Sequence, residues 1–325
     1  MDITAFKSKN FLIPGIILFV LLIALATLPL YVGLYWVILV TAILMYTILT
    51  VSWALFSGPS GYLSLASAAF FGVGIYTSAM LLPNTGVVLP LLVVVALGGV
   101  ISFIIALLVG FLTLRLRGIY FAIFTFGLVE LIKQVLIFWE INITGTRGRF
   151  IVLVDTHHVF WIMLGIFVLL MLTTYFFRRS KFGLALQSIG ENEEAAAHRG
   201  INVTMVKVIT FAISAFFMGT AGAVIATKWT YIDPYIAFNA LFSFLPILMA
   251  IFGGMGQIYG PVIGSAVFAY LEETLLTKFP YYYMLTFGIV LVGVILFLPG
   301  GLVGLIQRLT RRKRKGGVVE QNANT

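Results

Sequence analysis

The chain has 325 residues, 61% of them hydrophobic and only 10% charged, with a mean hydropathy of +1.11. Soluble domains carry about 45–50% apolar and about 25% charged residues, so no compact core can hide this much apolar surface and lipid must solvate most of it. A soluble enzyme, a secreted domain and a disordered tail are excluded, continuous rather than alternating apolar runs exclude an outer-membrane barrel, and the absence of cysteine removes disulfides, thiol nucleophiles and thiolate metal sites.

Charge-free apolar runs place spans at 11–33, 34–57, 61–82, 87–114, 118–139, 159–177, 205–228, 238–257, 260–277 and 280–299. The expected class is an all-α polytopic integral membrane protein with about ten transmembrane or re-entrant helices. One transmembrane domain covers 1–310 and a basic tail covers 311–325. The first run follows Lys7 and Lys9 and is about twice too long for the h-region of a signal peptide, so it reads as an anchor. The ninth is short and carries Glu272 and Glu273 at its end, which suits a half-membrane or re-entrant element.

Charge then sets orientation. With the N-terminus inside, the even-numbered connections hold Arg115 and Arg117, then Arg178, Arg179, Lys181, Arg199 and Lys207. The tail adds Arg308 and the run Arg311–Lys315, so fifteen of the 20 basic residues lie inside, counting Lys7 and Lys9. Only Arg147, Arg149, Lys228 and Lys278 fall in external loops. This satisfies the positive-inside rule with both termini cytoplasmic. The net charge of +9 therefore reports topology and attraction to anionic lipid rather than nucleic acid, for which the tail lacks aromatic interleaving.

The chemistry-bearing residues are few. No lysine follows a glycine, so the phosphate-cradling loop of an ATPase is missing. Gly253-Gly254-Met255-Gly256 lies inside an apolar run, where glycines serve close helix packing or a helix break. The only histidines are His157, His158 and His198; the first two are adjacent in an outer loop with no nearby carboxylates at metal-ligand spacing, and no cofactor site is recognisable. Glu130 and Lys133 stand three apart on the fifth span, on one helix face, and can pair. They are either a structural ion pair or part of a proton or substrate pathway.

The connection 178–204 is polar and far longer than its neighbours. Within it Glu191–Gly200 reads as a short helix, with acidic residues in its first turn, His198 and Arg199 in its last, and Gly200 as a left-handed stop. About two isolated turns are unstable in water, so this helix needs something to dock against, and a cytoplasmic partner is the favoured candidate.

Glu194-Ala195-Ala196 followed by Gly200 resembles the EAA loop of ABC importer permeases. In that family the loop carries a coupling helix seated in a groove of the ATP-binding subunit, and Glu194, Ala195, Ala196 and Gly200 are the positions that carry over. Ser57-Gly58-Pro59-Ser60-Gly61-Tyr62-Leu63-Ser64-Leu65 with Ala68-Ala69-Phe70-Phe71-Gly72-Val73-Gly74 is similar to the early motif of branched-chain amino acid permeases of the LivM type. So are Leu116-Arg117-Gly118-Ile119-Tyr120, the Glu130…Lys133 pair, Gly260-Pro261-Val262-Ile263-Gly264 and Leu298-Pro299-Gly300-Gly301. Ser67 stands where that family usually has histidine. Ser64 and Ser67, with Gly253, Gly254 and Gly256, join Glu130 and Lys133 as candidates for the pathway.

The resemblance implies the permease subunit of an ATP-binding-cassette importer in a prokaryotic plasma (inner) membrane, moving branched-chain or related amino acids inward by alternating access. The implied partners are a second homologous permease, two ATP-binding subunits and an extracytoplasmic substrate-binding protein. The chain itself would be a transport subunit and not an enzyme. Urea-type permeases share much of the pattern, and an ion-coupled secondary carrier using Glu130 and Lys133 is the rival from another class.

Because the chain has no cysteine, topology is testable with single introduced cysteines. An impermeant maleimide applied to spheroplasts is expected to label a cysteine at Asp155 and not one at Asn192. Strong external labelling at Asn192 would overturn the orientation.

Overall fold

A computed structural model describes residues 24–82, 90–255 and 257–279, with isolated positions beyond. The first and tenth expected spans fall largely outside these residues. Gly256, the Leu298–Gly301 motif and the basic tail lie wholly outside them.

The described helices are α1 (24–31), α2 (Leu34–Ser60), α3 (Ser67–Leu81), α4 (Leu91–Thr113) and α5 (Ile119–Trp139), which a π-turn extends through Thr144. They continue with α6 (Thr156–Arg179), α7 (Lys181–Glu191), α8 (Glu193–His198), α9 (Val203–Ile225), α10 (Pro234–Ala237), α11 (Leu241–Gly253) and α12 (Tyr259–Lys278). Two short strands, β1 (Arg149–Phe150) and β2 (Tyr231–Ile232), pair antiparallel with Arg149 opposite Ile232. Six segments among the described residues are long and apolar enough to cross a membrane: α2, α4, α5 with its π-turn, α6, α9 with the turn through Lys228, and Pro234–Gly253.

α9 is the centre of the bundle, and its small residues explain why. In a bilayer, helices gain little from hydrophobic exclusion and associate through close packing and interhelical hydrogen bonds. A Cβ on Gly74 of α3 would overlap the carbonyl of Gly219, and one on Gly222 would overlap the carbonyl of Phe71. Hydroxyls fasten the same contacts. Ser78 Oγ donates to Ala223 O at 2.7 Å, Ser102 Oγ to Phe70 O at 3.1 Å, and Ser214 Oγ to Ser52 O at 2.7 Å. α2 and α3 are thereby held against α9, and α4 against α3.

One expected span is broken and another is shortened. The run 61–82 is not one helix: Gly61 ends α2 in the left-handed region at φ 71°, residues 61–66 are non-helical, and α3 starts only at Ser67. Pro59 in the last turn and the left-handed glycine stop α2, while the apolar side chains of 61–66 still read as membrane. The run 238–257 is helical only from Leu241 to Gly253, and a separate short helix precedes it. α10 is capped by Asp233, whose Oδ1 accepts the Ile236 N–H at 2.8 Å, and α11 begins afresh where Asn239 Oδ1 accepts the Leu241 N–H at 3.0 Å. The starts of α3 and α11 meet inside the bundle. Ser243 Oγ accepts the Ala68 N–H at 3.2 Å and donates to Leu65 O at 2.6 Å. The polar connection also differs from expectation. It holds two helices rather than one, because Glu191 closes α7 and the acidic helix begins at Glu193.

A side chain at Gly74 has nowhere to go except into the backbone of α9. Gly74→Val is expected to destabilise by about 3 kcal/mol or more and to abolish accumulation in the membrane. Gly127→Val on α5, where a Cβ meets nothing within 4 Å, should accumulate normally. Equal accumulation of the two variants, measured by quantitative blotting of membranes, would contradict the packing described.

Candidate functional site: the loop face and the break in the membrane helix

The loop is built by caps. Ser180 Oγ accepts the Gly183 N–H at 3.2 Å and starts α7, whose Leu186 and Ile189 turn inward. Asn192 ends α7 and starts α8 by accepting the Ala195 N–H at 3.0 Å through Oδ1. At the far end Gly200 has φ 81°, and the Ile201 N–H returns to Ala196 O at 3.2 Å, so the expected left-handed stop is present. A six-residue helix cannot stand alone. Ala196 anchors this one in a small apolar cluster with Leu186, Ile189 and Val206. Of the EAA-like residues, Ala196 therefore faces the chain's own core, whereas Glu194, Ala195 and Gly200 are exposed.

The second anchor is Glu193, which sequence reading did not single out. Its Oε2 accepts the Tyr62 hydroxyl at 2.6 Å, and its Oε1 accepts Lys207 Nζ at 3.0 Å. The same ammonium donates to Leu114 O at 2.9 Å and to the Tyr62 oxygen at 3.1 Å, and sits 4.5 Å from the Tyr62 ring centroid. Lys207 is 1% exposed, so its three hydrogen bonds replace all of its hydration. Arg117 adds looser contacts to Glu193 at 3.9 Å and to Glu194 at 3.5 Å. Burial alone would raise the Glu193 carboxyl. The hydrogen bonds from Tyr62 and Lys207, with the charges of Lys207 and Arg117, outweigh it and hold the group below the usual carboxylate range. The signal available in sequence was Lys207 itself, a lysine between Val206 and Val208 in an apolar run.

From Tyr62 the chain runs through the break. Trp53 Nε1 donates to Ser64 O at 2.7 Å, and Thr125 Oγ1 accepts the Leu65 N–H at 3.0 Å. With Ser243, these side chains replace the helical ladder that residues 61–66 lack, as a bilayer demands of any non-helical backbone. Ser57, Ser64, Ser67 and Ser214 cluster beside the break, between Trp53 and Phe211, around a crevice with no room for a water molecule. Ser64 Oγ accepts the Ala66 N–H at 3.3 Å. The hydroxyls of Ser57 and Ser67 have no partner among the described residues, although both side chains are buried. Each unpaired buried hydroxyl costs about 1–3 kcal/mol.

Glu130 and Lys133 do pair, with Nζ 2.6 Å from Glu130 Oε1. They lie about 16–21 Å along α5 from its loop-side start, at bilayer mid-depth, yet the Glu130 side chain is 42% exposed. Lys133 also lies 5.5 Å from the Tyr235 ring of α10. Asn239 is exposed nearby in chain, and the Phe126 and Phe244 rings, 5.7 Å apart, join α5 to the start of α11. Gly253 sits elsewhere, where a Cβ would overlap the Gly260 carbonyl of α12. Gly254, at φ 99°, makes the turn between these helices.

On the face opposite the loop, Glu140 is fully buried and accepts from Tyr76 Oη at 3.1 Å and from the Gly148 N–H at 3.0 Å. This buried carboxylate ties α5 to α3 and to the turn before β1.

Residues 35–295 match the family model described as the permease component of branched-chain amino acid transport systems. The chain belongs to that family. It is 29% identical over 296 residues to the high-affinity branched-chain amino acid transport system permease protein LivM of Salmonella typhimurium, covering 81% of this chain and 68% of that one. The LivH permease protein of the same organism matches at 30% over 165 residues, half of this chain and 52% of LivH. The ribose import permease protein RbsC of Haemophilus influenzae matches at 26% over 142 residues, 42% and 43% of the two chains. No solved structure gives a significant match. The chain is thus an all-α, multi-pass membrane permease component.

Because Glu193 is held below the usual carboxylate range, the stability it lends α8 is full above the unfolded value of about 4.3. It is lost only as pH falls through the lower folded value. Hydrogen-exchange protection of the Ala196 amide in detergent is expected to be flat from neutrality down to about pH 5. Loss of protection already between pH 7 and 6 would show that the carboxylate does not hold the helix.

Proposed function

We propose that the chain is the membrane-spanning permease subunit of an ATP-binding-cassette importer, taking up branched-chain or related amino acids by alternating access. The observation that carries this reading is α8. It is rooted in its own chain through Ala196 and Glu193, while Glu194, Ala195 and Gly200 are exposed on its outer side, with only Arg117 near Glu194. A stand-alone carrier needs no such surface, whereas an ATP-binding subunit needs one to grip. The similarity of this one chain to both LivM and LivH of a single organism supports a second, homologous permease as its companion. Two ATP-binding subunits and an extracytoplasmic binding protein complete the assembly, with the loop face and both termini in the cytoplasm of a prokaryotic inner membrane.

The solute pathway in this reading runs along the exposed Glu130–Lys133 face. A carboxylate nearly half exposed at mid-depth is too costly to present to lipid, so this face borders water or the companion permease. One carboxylate and one ammonium side by side complement the two charges of an amino acid zwitterion, which favours amino acids over the neutral sugar that names RbsC. Ser64 and Ser67 at the start of α3 are the neighbouring pathway candidates. Gly253 and Gly254, at the α11–α12 turn, serve there as hinge and packing residues, with Gly256 following them.

In proteoliposomes the chain alone is expected neither to hydrolyse ATP nor to transport. With its companions it should take up leucine in preference to ribose at the expense of ATP. Gly200→Val forces a Cβ into the left-handed region at about 1–2 kcal/mol, and Glu194→Lys reverses a charge on the exposed face. Each should lower uptake and ATP hydrolysis together by about tenfold, as expected for loss of a coupling interaction, at unchanged membrane abundance. Uptake by the chain alone, driven by a proton or sodium gradient, would favour an ion-coupled carrier instead.

A further inference from the structure

We propose that Tyr62 and Lys207 are positioning residues through which the partner-facing loop moves the break in the membrane helix. The inference rests on the importer reading, because it names the route by which work done on α8 reaches the bilayer interior.

The loop touches the connection between α2 and α3 at two places only a few residues apart in chain. At the first, Gly190 of α7 lies so close to the Pro59 carbonyl that a Cβ there would overlap it. At the second, Glu193 holds the Tyr62 hydroxyl at 2.6 Å, the short distance of a charge-assisted bond. Lys207 locks this second contact from behind by donating to Glu193, Tyr62 and Leu114 O at once. Arg117 is a poor alternative anchor, since its side chain is 62% exposed and its contact to Glu193 is 3.9 Å. The firm attachments of α8 therefore lead inward.

What lies beyond Tyr62 makes the contact consequential. The non-helical residues 62–66 lead from the loop face to Ser67 at the start of α3. This stretch has no ladder of its own. Its backbone is held by side chains of three different helices, Trp53 on α2, Thr125 on α5 and Ser243 on α11. A shift of Tyr62 must lengthen or exchange those bonds, and an element transmits only if its contacts differ between states. Two unpaired hydroxyls, Ser57 and Ser67, wait beside the same stretch as ready alternative partners for a rearranged backbone.

The test is Tyr62→Phe in the full complex, reconstituted with its companion subunits and binding protein. The substitution deletes one oxygen and keeps the ring against Phe121, 5.5 Å away. ATP hydrolysis should stay near the wild-type rate while uptake falls, so that solute carried per ATP drops about tenfold, within the usual range of coupling between sites. Tyr76→Phe is the control: it removes a more deeply buried tyrosine-to-glutamate bond on the opposite face and should leave that ratio unchanged. If Tyr62→Phe does not accumulate, Glu193→Gln, which keeps side-chain volume, takes its place with the same expected loss. A ratio unchanged in Tyr62→Phe or its substitute, or lowered equally in Tyr76→Phe, overturns the inference. The wild-type arm tests the underlying reading separately, and absence of ATP-dependent uptake there removes both.

Discussion

A polypeptide may leave the helical conformation inside a bilayer only if every freed backbone group finds another partner. This chain does so between Gly61 and Ser67, and much of its interior is arranged around that break. Trp53, Thr125 and Ser243 supply the missing hydrogen bonds from three helices. Those helices must then be held in register: Ser214 of α9 fastens α2 by donating to Ser52 O, and the Phe126 and Phe244 rings pack α5 against α11. Replacing the break with a continuous helix would remove the need for these side chains, and would also remove a stretch of the membrane core able to change shape without unwinding a helix.

The loop and the break belong to one piece of machinery. α8 is too short to persist by itself, and the residues that stabilise it, Glu193 and Ala196, are also those that fix its position on the bundle. Its outward side is left unoccupied for the same geometric reason: a short helix buried on one face presents the opposite face whole. Recognition of a partner and attachment to the pathway are thus divided between adjacent residues, Glu194 facing out and Glu193 facing in. The buried Glu140 cluster plays a matching part on the other face, tying the end of α5 to α3, so that the half-helix α3 is held by a carboxylate-centred network near each end of the segment from Tyr62 to Tyr76.

Much of this was legible in sequence where the signal is local. Membrane-length apolar helices, the Gly200 stop, and the Glu130–Lys133 pair at i,i+3 all follow from spacing and residue type; the described residues hold six such helices, the stop and the pair. The break was not legible, because Tyr62-Leu63-Ser64-Leu65-Ala66 is as apolar as the helix that follows it. Pro59 and Gly61 mark only a turn. α7 was hidden by the polar composition of its loop, although Leu186 and Ile189 stand three apart on its buried face. Least accessible was the Tyr62–Glu193 bond, which joins residues 131 apart in sequence. Lys207 looked like one more basic residue beside a membrane span, and only its position between two buried valines hinted otherwise.

The central claim is that the loop helix and the broken segment move as one body. Spin labels on cysteines introduced at Ala197 and at Leu63, both exposed, report their separation by pulsed electron resonance in the assembled complex. A second pair, Leu63 with Leu169 on α6, reports the segment against the rest of the bundle. Between nucleotide-free and ATP-trapped states the first distance should stay fixed while the second changes. A first distance that changes while the second stays fixed would show that α8 moves without carrying the segment, and would contradict the account.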